Sequence, residues 1–298
     1  EISLGLVGSE MCIRDREIDT VLELSSGGAR EFFKKFCEML ELKCLASVMK
    51  SIILNVPWER AAHYIFPIGR LSVEACEGLV RSRDARKAIA FVEDRALRGD
   101  LEALMKEAEE PTVQAIKAEL MVERAANVRL WEGSEALSGR DRSCIPLVGI
   151  PIDTFNIMAV LRLKRAGLRP DEIGPYTIPV YYKLREEELS RAIAAPSERD
   201  ALRAFMATRY VGLMSPLVGA YEATNDLTIF EITFRRYHAE QCARMFNMAF
   251  HFGEALGYLY LRWYEVRDVA AILFGKYSGL RPDEIEKALT LHQPLYPI

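Results

Sequence analysis

The chain has 298 residues, half of them hydrophobic, and its 39 basic and 43 acidic residues give a net charge of −4. A large buried core is therefore possible, whereas a nucleic-acid partner, which usually requires a basic excess, is not expected. No apolar run approaches the roughly 18–20 residues of a membrane span, and the six cysteines include no Cys-x-x-Cys pair that would indicate a metal site.

The first sixteen residues have a composition of their own. Residues 6–16 read Leu-Val-Gly-Ser-Glu-Met-Cys-Ile-Arg-Asp-Arg, which matches a translated sequencing-library adapter. The alternative is a genuine N-terminal strand that starts in the apolar stretch Ile2–Val7. We predict that 1–16 is a non-native, adapter-derived segment, so that Cys12 is not a natural cysteine and the native N-terminus is missing.

Helical periodicity begins after this segment. Apolar residues recur at helical spacing from Phe32 to Ile52, and the tetrapeptide Asn55-Val56-Pro57-Trp58 follows. An apolar loop, Phe66–Leu71, then precedes a short helix. Strand-like alternation is almost absent along the whole chain, so we predict an all-α fold in which these stripes pack in the core.

One heptapeptide, Gly-Leu-Arg-Pro-Asp-Glu-Ile, occurs twice, at Gly167–Ile173 and at Gly279–Ile285. We call the separation from Gly167 to Gly279 the repeat interval. The glycine suits the left-handed residue that follows a helix, and the proline, Pro170 or Pro282, suits the first turn of the next helix. The motif predicts a helix–turn–helix corner and identifies a repeat of domain size.

The helices before the two corners also match at the repeat interval. Their shared polar positions are Asp153, Asn156 and Lys164 in one copy and Glu265, Asp268 and Lys276 in the other. The three-residue spacing places the first two groups on one helical face. We interpret them as helix caps or as salt bridges to a neighbouring helix, in preference to ligand binding, and the lysines as charges that neutralise the helix C-terminus.

A third, degenerate copy lies upstream. It places Glu38 at the position of Asp153, with the corner sequence lost, and makes Ile178–Leu184 the counterpart of the loop Phe66–Leu71. We therefore predict three similar helical domains, the first of them incomplete. Their boundaries are 17–66, 67–176 and 177–298.

Two more helical stripes follow in the C-terminal part, over residues 227–252 and 259–273. Thr228 followed by Glu231 is typical of a capping box at the start of the first of these helices. The four histidines are well separated and none has a metal-ligand spacing. Because no catalytic or phosphate-binding motif is present, we predict no catalytic residues, no cofactor and no metal site.

At the repeats the chain resembles a known family. The segments from Gly149 to Leu168 and from Tyr258 to Leu280 resemble the C subunit of archaeal and bacterial A/V-type ATP synthases, whose eukaryotic counterpart is the d subunit of the vacuolar ATPase. The resemblance extends from Glu17 to Leu289. It implies three similar all-helical domains about a pseudo-threefold axis, arranged as a funnel.

The resemblance also implies a function. The family member is a non-catalytic central-stalk subunit, a socket that couples the rotating stalk, built from D- and F-type subunits, to the membrane proteolipid ring in proton or sodium transport. It is peripheral and lies at the cytoplasmic face of the membrane. Our candidates for the ring contact are loop residues that look exposed: Phe66, Ile68, Ile178, Val180 and Tyr181.

Three alternatives stay open at this point. One is an α-helical enzyme with a site that the motifs miss, which steady ATPase or hydrolase activity of the isolated chain would favour. The apolar loop residues are equally well explained as plugs for the ends of their own helix bundle. The chain as a whole is also explained by a helical-repeat interaction scaffold unrelated to ATPases, although a repeat of about 110 residues is long for a solenoid, whose usual period is ~20–50.

Overall fold

The computed structural model describes residues 16–138, 141–247 and 251–291. Within these ranges the chain is built of helices and short loops and has no β-strand, and an isolated antiparallel bridge joins Ile68 to Leu71. The prediction of an all-α fold is confirmed. The segment predicted to derive from an adapter, with Cys12, lies outside the described residues except for Arg16, so its origin stays a prediction.

The helices are numbered along the chain. Their bounds are 16–24 (α1), Gly27–Ile53 (α2), Trp58–Ala61 (α3), Val73–Ser82 (α4), Ala85–Ile89 (α5), Arg95–Leu104 (α6), Pro111–Ser138 (α7), Cys144–Arg165 (α8), Pro170–Ile173 (α9), Glu186–Ala194 (α10), Glu198–Phe205 (α11), Val211–Met214 (α12), Val218–Thr224 (α13), Thr228–Arg244 (α14), Phe252–Tyr277 (α15) and Pro282–Ala288 (α16). Short 3₁₀ turns follow α9, α12 and α14.

By their internal contacts the residues form two compact units. The first comprises Glu1–Gly139 and Leu259–Leu289, and the second comprises Arg140–Tyr258 and Thr290–Ile298. The boundary at Tyr258 falls inside α15, so this helix contributes residues to both units. The three domains predicted above are a division by sequence repeat, and that division stays a prediction.

Each unit contains a pair of long antiparallel helices. In the first unit α7 packs along α2, and Lys50 forms an ion pair of 3.2 Å with Glu119. In the second unit α14 packs along α8, and Arg162 forms an ion pair of 3.1 Å with Glu231. Both members of the second ion pair lie one repeat interval after those of the first, so the two helix pairs have the same register. Glu231 therefore bridges two helices. It does not form the capping box predicted with Thr228, because the N-cap residue of α14 is Leu227 and no side chain caps this helix.

The helix corner occurs three times. A residue with positive φ follows the long helix at Asn55 (52°), Gly167 (82°) and Gly279 (71°), and the repeat interval separates each from the next. In each case the next N–H bonds back to a carbonyl five residues earlier, which is the Schellman pattern: Val56 to Ser51, Leu168 to Leu163 and Leu280 to Gly275. The first corner is therefore present in geometry, although we expected it to be lost from the sequence. Asparagine is among the few non-glycine residues that adopt this conformation readily.

Prolines open the short helices after the corners. Pro170 and Pro282 are the first residues of α9 and α16, and the Glu two residues after each proline accepts the N–H of the arginine before it, at 2.8 and 2.9 Å. The lysines lie in the last turn before each corner. Lys164 is buried and its pKa is lowered by that burial, whereas Lys276 is exposed.

Among the described residues, helix α8 is long and apolar enough to cross a membrane by length and composition. Its best 18-residue window has a mean hydropathy of 1.8, which corrects the expectation that no apolar run reaches this length. Of that window, 78% is buried inside the protein, where α10, α11 and α14 pack against the helix. Buried in this way, α8 is the core helix of the second unit, and it carries the polar residues described next.

Candidate functional site

The loop Ile178–Leu184 is tied at both ends to helix α8. At its first residue, the side-chain oxygen of Asn156 accepts the N–H of Ile178 at 2.7 Å, and the Asn156 amide donates to the carbonyl of the same residue at 2.9 Å. Asn156 is fully buried. This pair of hydrogen bonds copies the pairing of two strands and fixes both the position and the direction of the backbone.

At the other end of the loop, the carboxylate of Asp153 accepts three consecutive backbone N–H groups. The donors are Tyr182 at 3.2 Å, Lys183 at 2.6 Å and Leu184 at 3.0 Å. The hydroxyl of Tyr210 adds a fourth donor at 2.7 Å, and the side chain of Asp153 is fully buried. Burial raises the pKa of Asp153, while Tyr210 and the three N–H groups act in the opposite direction. We call Asp153, Asn156 and Tyr210 the latch.

Two further contacts fix the base of the loop. A Cβ placed on Gly149 of α8 would lie 2.5 Å from Cγ of Tyr182, so glycine is needed there for the tyrosine ring to lie against the helix. The ammonium group of Lys183 bonds the hydroxyl of Tyr237 and lies 5.1 Å from the centre of that ring. Between the anchored ends, Pro179 and Tyr181 are exposed and Val180 is half-buried. The loop is thus a rigid base that presents a small apolar tip, Pro179–Tyr181.

The first repeat holds its loop in a related way. The carboxylate of Glu41 accepts the N–H of Arg70 at 3.1 Å and also binds the Arg70 guanidinium at 3.1 and 3.2 Å. Gly69 has a φ of 55°, and a Cβ there would lie 2.0 Å from a Glu41 oxygen. Glu41 and Arg70 lie one repeat interval before Asp153 and Tyr182. The counterpart of Asp153 is therefore Glu41, not Glu38 as we expected, because the contact with the loop selects one of two glutamates that lie a single helical turn apart.

In the third repeat, Glu265 occupies the position of Asp153. It pairs with Arg262 one turn earlier, and Arg262 also binds Glu17 of α1 at 2.7 Å. Asp268, at the position of Asn156, is buried. The loop that corresponds to Ile178–Leu184 begins at Thr290, and most of it lies outside the described residues.

The five ring-contact candidates differ in exposure. Phe66, Ile68 and Ile178 are buried, which corrects the expectation that they are exposed and fits the alternative that they close their own helix bundles. Phe66 packs edge-on against Trp263, with 5.4 Å between ring centres. Val180 and Tyr181 are accessible, and Tyr181 is 37% exposed. A ring contact through the loops therefore narrows to these two residues and stays a prediction.

A cavity of about 30 Å³, room for a single water molecule, lies beside Glu41 and Arg70. Its lining combines the charged residues Glu38, Glu41, Arg70, Glu93 and Arg129 with apolar side chains. A pocket for a small-molecule ligand is usually at least ~300 Å³. Among the residues that the structure describes, no three His, Cys, Asp or Glu side chains come together as a metal site.

Sequence reasoning singled out Asp153 and Asn156 but not what they bind. They neither cap their own helix nor pair with a cation; they hold the backbone of a loop 22 to 31 residues further along the chain. It missed Tyr210 altogether, because an isolated tyrosine carries no local signal. The fold and its latches define a helical repeat protein in which the paired polar positions fix loops.

Comparison with known proteins identifies the family. The sequence model described as "ATP synthase (C/AC39) subunit" matches residues 15–288. The C subunit of the A-type ATP synthase of Methanocaldococcus jannaschii is 21% identical over 275 residues, which cover 90% of this chain and 67% of the relative. The corresponding protein of Archaeoglobus fulgidus is 22% identical over 277 residues, covering 91% and 75%. The chain belongs to the ATP synthase (C/AC39) subunit family, whose members are accessory and not catalytic components of A/V-type ATP synthases.

Proposed function

We propose that this chain is the socket of a rotary ATPase, joining the rotating central stalk to the membrane proteolipid ring. The observation that carries the proposal is the tip Pro179–Tyr181, an accessible apolar surface on a backbone that the latch holds at both ends. The stalk partners are D- and F-type subunits, the chain lies at the cytoplasmic face, and the complex moves protons or sodium ions. Membership in the family supports each of these assignments.

Rigidity is what a coupling element needs. Torque passes through a contact only if the contacting loop does not slide, and this loop is held by five hydrogen bonds from its backbone to Asp153 and Asn156. Three of these bonds are buried and the two from Tyr182 and Lys183 are partly buried, so water has little access to compete for the donors. An apolar tip on such a base suits a second protein surface, because association removes its exposed carbon from water.

Co-purification tests the proposal. In a cell that makes the whole complex, Val180→Asp with Tyr181→Asp should leave the chain folded and reduce its recovery with the ring subunits. The control is Val73→Asp with Val211→Asp, which changes two exposed apolar residues on α4 and α12. Unchanged recovery of the ring with the tip variant, or equal loss with the control, would exclude the tip as the ring contact. Ile178 is unsuitable for this test because it is buried.

A further inference from the structure

An aromatic patch lies uncovered on the first unit. Phe274 and Tyr277, in the last turn of α15, are 39% and 78% exposed. The ring of His63 lies 4.6 Å from that of Phe274 and 5.8 Å from that of Tyr277, centre to centre. We call these three residues the α15 patch. Clustered, exposed aromatic rings are expected where another surface covers them.

The repeat indicates what covers the patch. Phe274 lies one repeat interval after Arg162 and two such intervals after Lys50. Each of these cations forms an ion pair with a glutamate on the helix packed against its own: Arg162 with Glu231, and Lys50 with Glu119. By the same interval, the residue facing Phe274 falls ten positions before Glu17. For the third pair, the repeat therefore predicts a covering helix that would continue α1 toward the N-terminus.

Helix α1 already contacts α15 in this register. Glu17 binds Arg262 at 2.7 Å. In the pair of α7 and α2, Arg129 lies at the position of Glu17 and Glu38 lies at the position of Arg262. Both residues line the same cavity. From Arg262 to Phe274 is twelve residues, or about 18 Å of helix at ~1.5 Å per residue. A covering helix therefore needs about three more turns before Glu17 to reach the patch.

We propose that the α15 patch binds an amphipathic helix that continues α1 toward the N-terminus and runs antiparallel to α15; the proposal rests on the prediction that residues 1–16 are not native. The chemistry of its contact residue differs from that in the other two pairs. Where Lys50 and Arg162 require a carboxylate, Phe274 stands beside Tyr277 and His63 and requires an apolar side chain. The third helix pair thus exchanges an ion pair for aromatic packing.

A graft from the chain itself tests this proposal. Residues 1–15 are replaced by a copy of Val113–Asn127, the repeat-equivalent stretch of α7, with leucine in place of the residue copied from Glu119. The graft should raise Tm by about 2–4 °C or more, since a gain of 1 kcal/mol shifts a domain of this size by about that amount. The same graft with the glutamate retained should give a smaller rise, because its carboxylate would face the rings.

Two outcomes overturn the proposal. One is a leucine graft that leaves Tm unchanged, and the other is a rise in Tm that persists after Phe274→Asp. A cross-link fixes the register independently. A cysteine at the seventh grafted position should form a disulfide with the cysteine of Phe274→Cys when a copper–phenanthroline oxidant removes the two thiol hydrogens. A cysteine two positions later lies on the opposite face of the helix and should not form this disulfide. Equal cross-linking at both positions would exclude the antiparallel register.

Discussion

Removal of one oxygen atom, in Tyr210→Phe, tests whether the latch holds the Ile178–Leu184 loop. Tyr210 is 1% exposed, and its hydroxyl donates to Asp153 at 2.7 Å. The ring itself packs edge-on against Phe234 and stays in place in the variant. Only the hydrogen bond is lost, so the expected cost is about 1–3 kcal/mol of unfolding free energy. Asp153→Ala leaves four donors without an acceptor and should cost about 4 kcal/mol or more.

The double variant makes the test quantitative. Once Asp153 is alanine, the Tyr210 hydroxyl is a buried group without an acceptor, and its removal should cost nothing or stabilise the protein. The two single costs should therefore not add, and the difference, about 1–3 kcal/mol, is the coupling between the two side chains. Urea unfolding followed by circular dichroism measures each free energy. Tyr277→Phe, at a residue that is 78% exposed, is the matched control and should stay within about 0.5 kcal/mol of the parent.

Hydrogen exchange places the effect in the structure. Because the chain forms two compact units, global unfolding is not guaranteed to be a single transition. The amides of Tyr182, Lys183 and Leu184 report on the loop directly, and in Asp153→Ala they should exchange much faster than in the parent. Additive free energies, or unchanged exchange at these three amides, would refute the assignment of Asp153 and Tyr210 to a latch.

Two further predictions concern the same unit. Gly149→Ala should lower the unfolding free energy by about 1–3 kcal/mol, because the added Cβ would displace the ring of Tyr182. The control Gly219→Ala lies in a helix with open space around it and should stabilise the protein. Equal effects of the two changes in urea unfolding would contradict the packing argument. Burial opposes the ionisation of Asp141, but the hydrogen bonds that it accepts, including the N–H of Phe252 at 2.7 Å, lower its pKa. The contribution of Asp141 to stability is then present above the unfolded pKa of about 3.9 and is lost as the pH falls through the folded pKa. Asp141→Asn should therefore reduce the loss of unfolding free energy at acid pH. An unchanged slope of unfolding free energy against pH would rule out Asp141 as the cause of that loss.

Local chemistry made the corners predictable. Glycine at the left-handed position and proline in the next turn are signals that act within a few residues, so Gly167–Ile173 and Gly279–Ile285 could be interpreted from their letters alone. Asn55 carries a weaker form of the same signal. Asparagine occurs in turns, caps and loops of many kinds, and only the hydrogen bond from Val56 to Ser51 distinguishes a corner from the others. The sequence therefore showed two corners of three.

The latch was beyond sequence reasoning because its partners are distant. The spacing of Asp153 and Asn156 places both on one helical face, which predicts a shared neighbour but not which one. The choice between Glu38 and Glu41 shows the limit clearly. Both glutamates lie on α2 one turn apart, so helical periodicity cannot separate them; the repeat interval before Asp153 falls on Glu41, and the hydrogen bond from the N–H of Arg70 agrees with it. In α8, likewise, the sequence analysis found no apolar run long enough for a membrane span, and only the packing of α10, α11 and α14 identifies this apolar helix as a core helix.

The carboxylates at the equivalent positions Glu41 and Asp153 bind different groups in the first two repeats, and the difference indicates the role of this position. In the second repeat a buried carboxylate binds backbone N–H groups and a tyrosine, and in the first an accessible glutamate binds one N–H and an arginine side chain. The shared element is the N–H of the loop residue at the position of Arg70 and Tyr182, and in the first two repeats the carboxylate position is therefore best explained as an anchor that sets where the loop leaves its helix bundle.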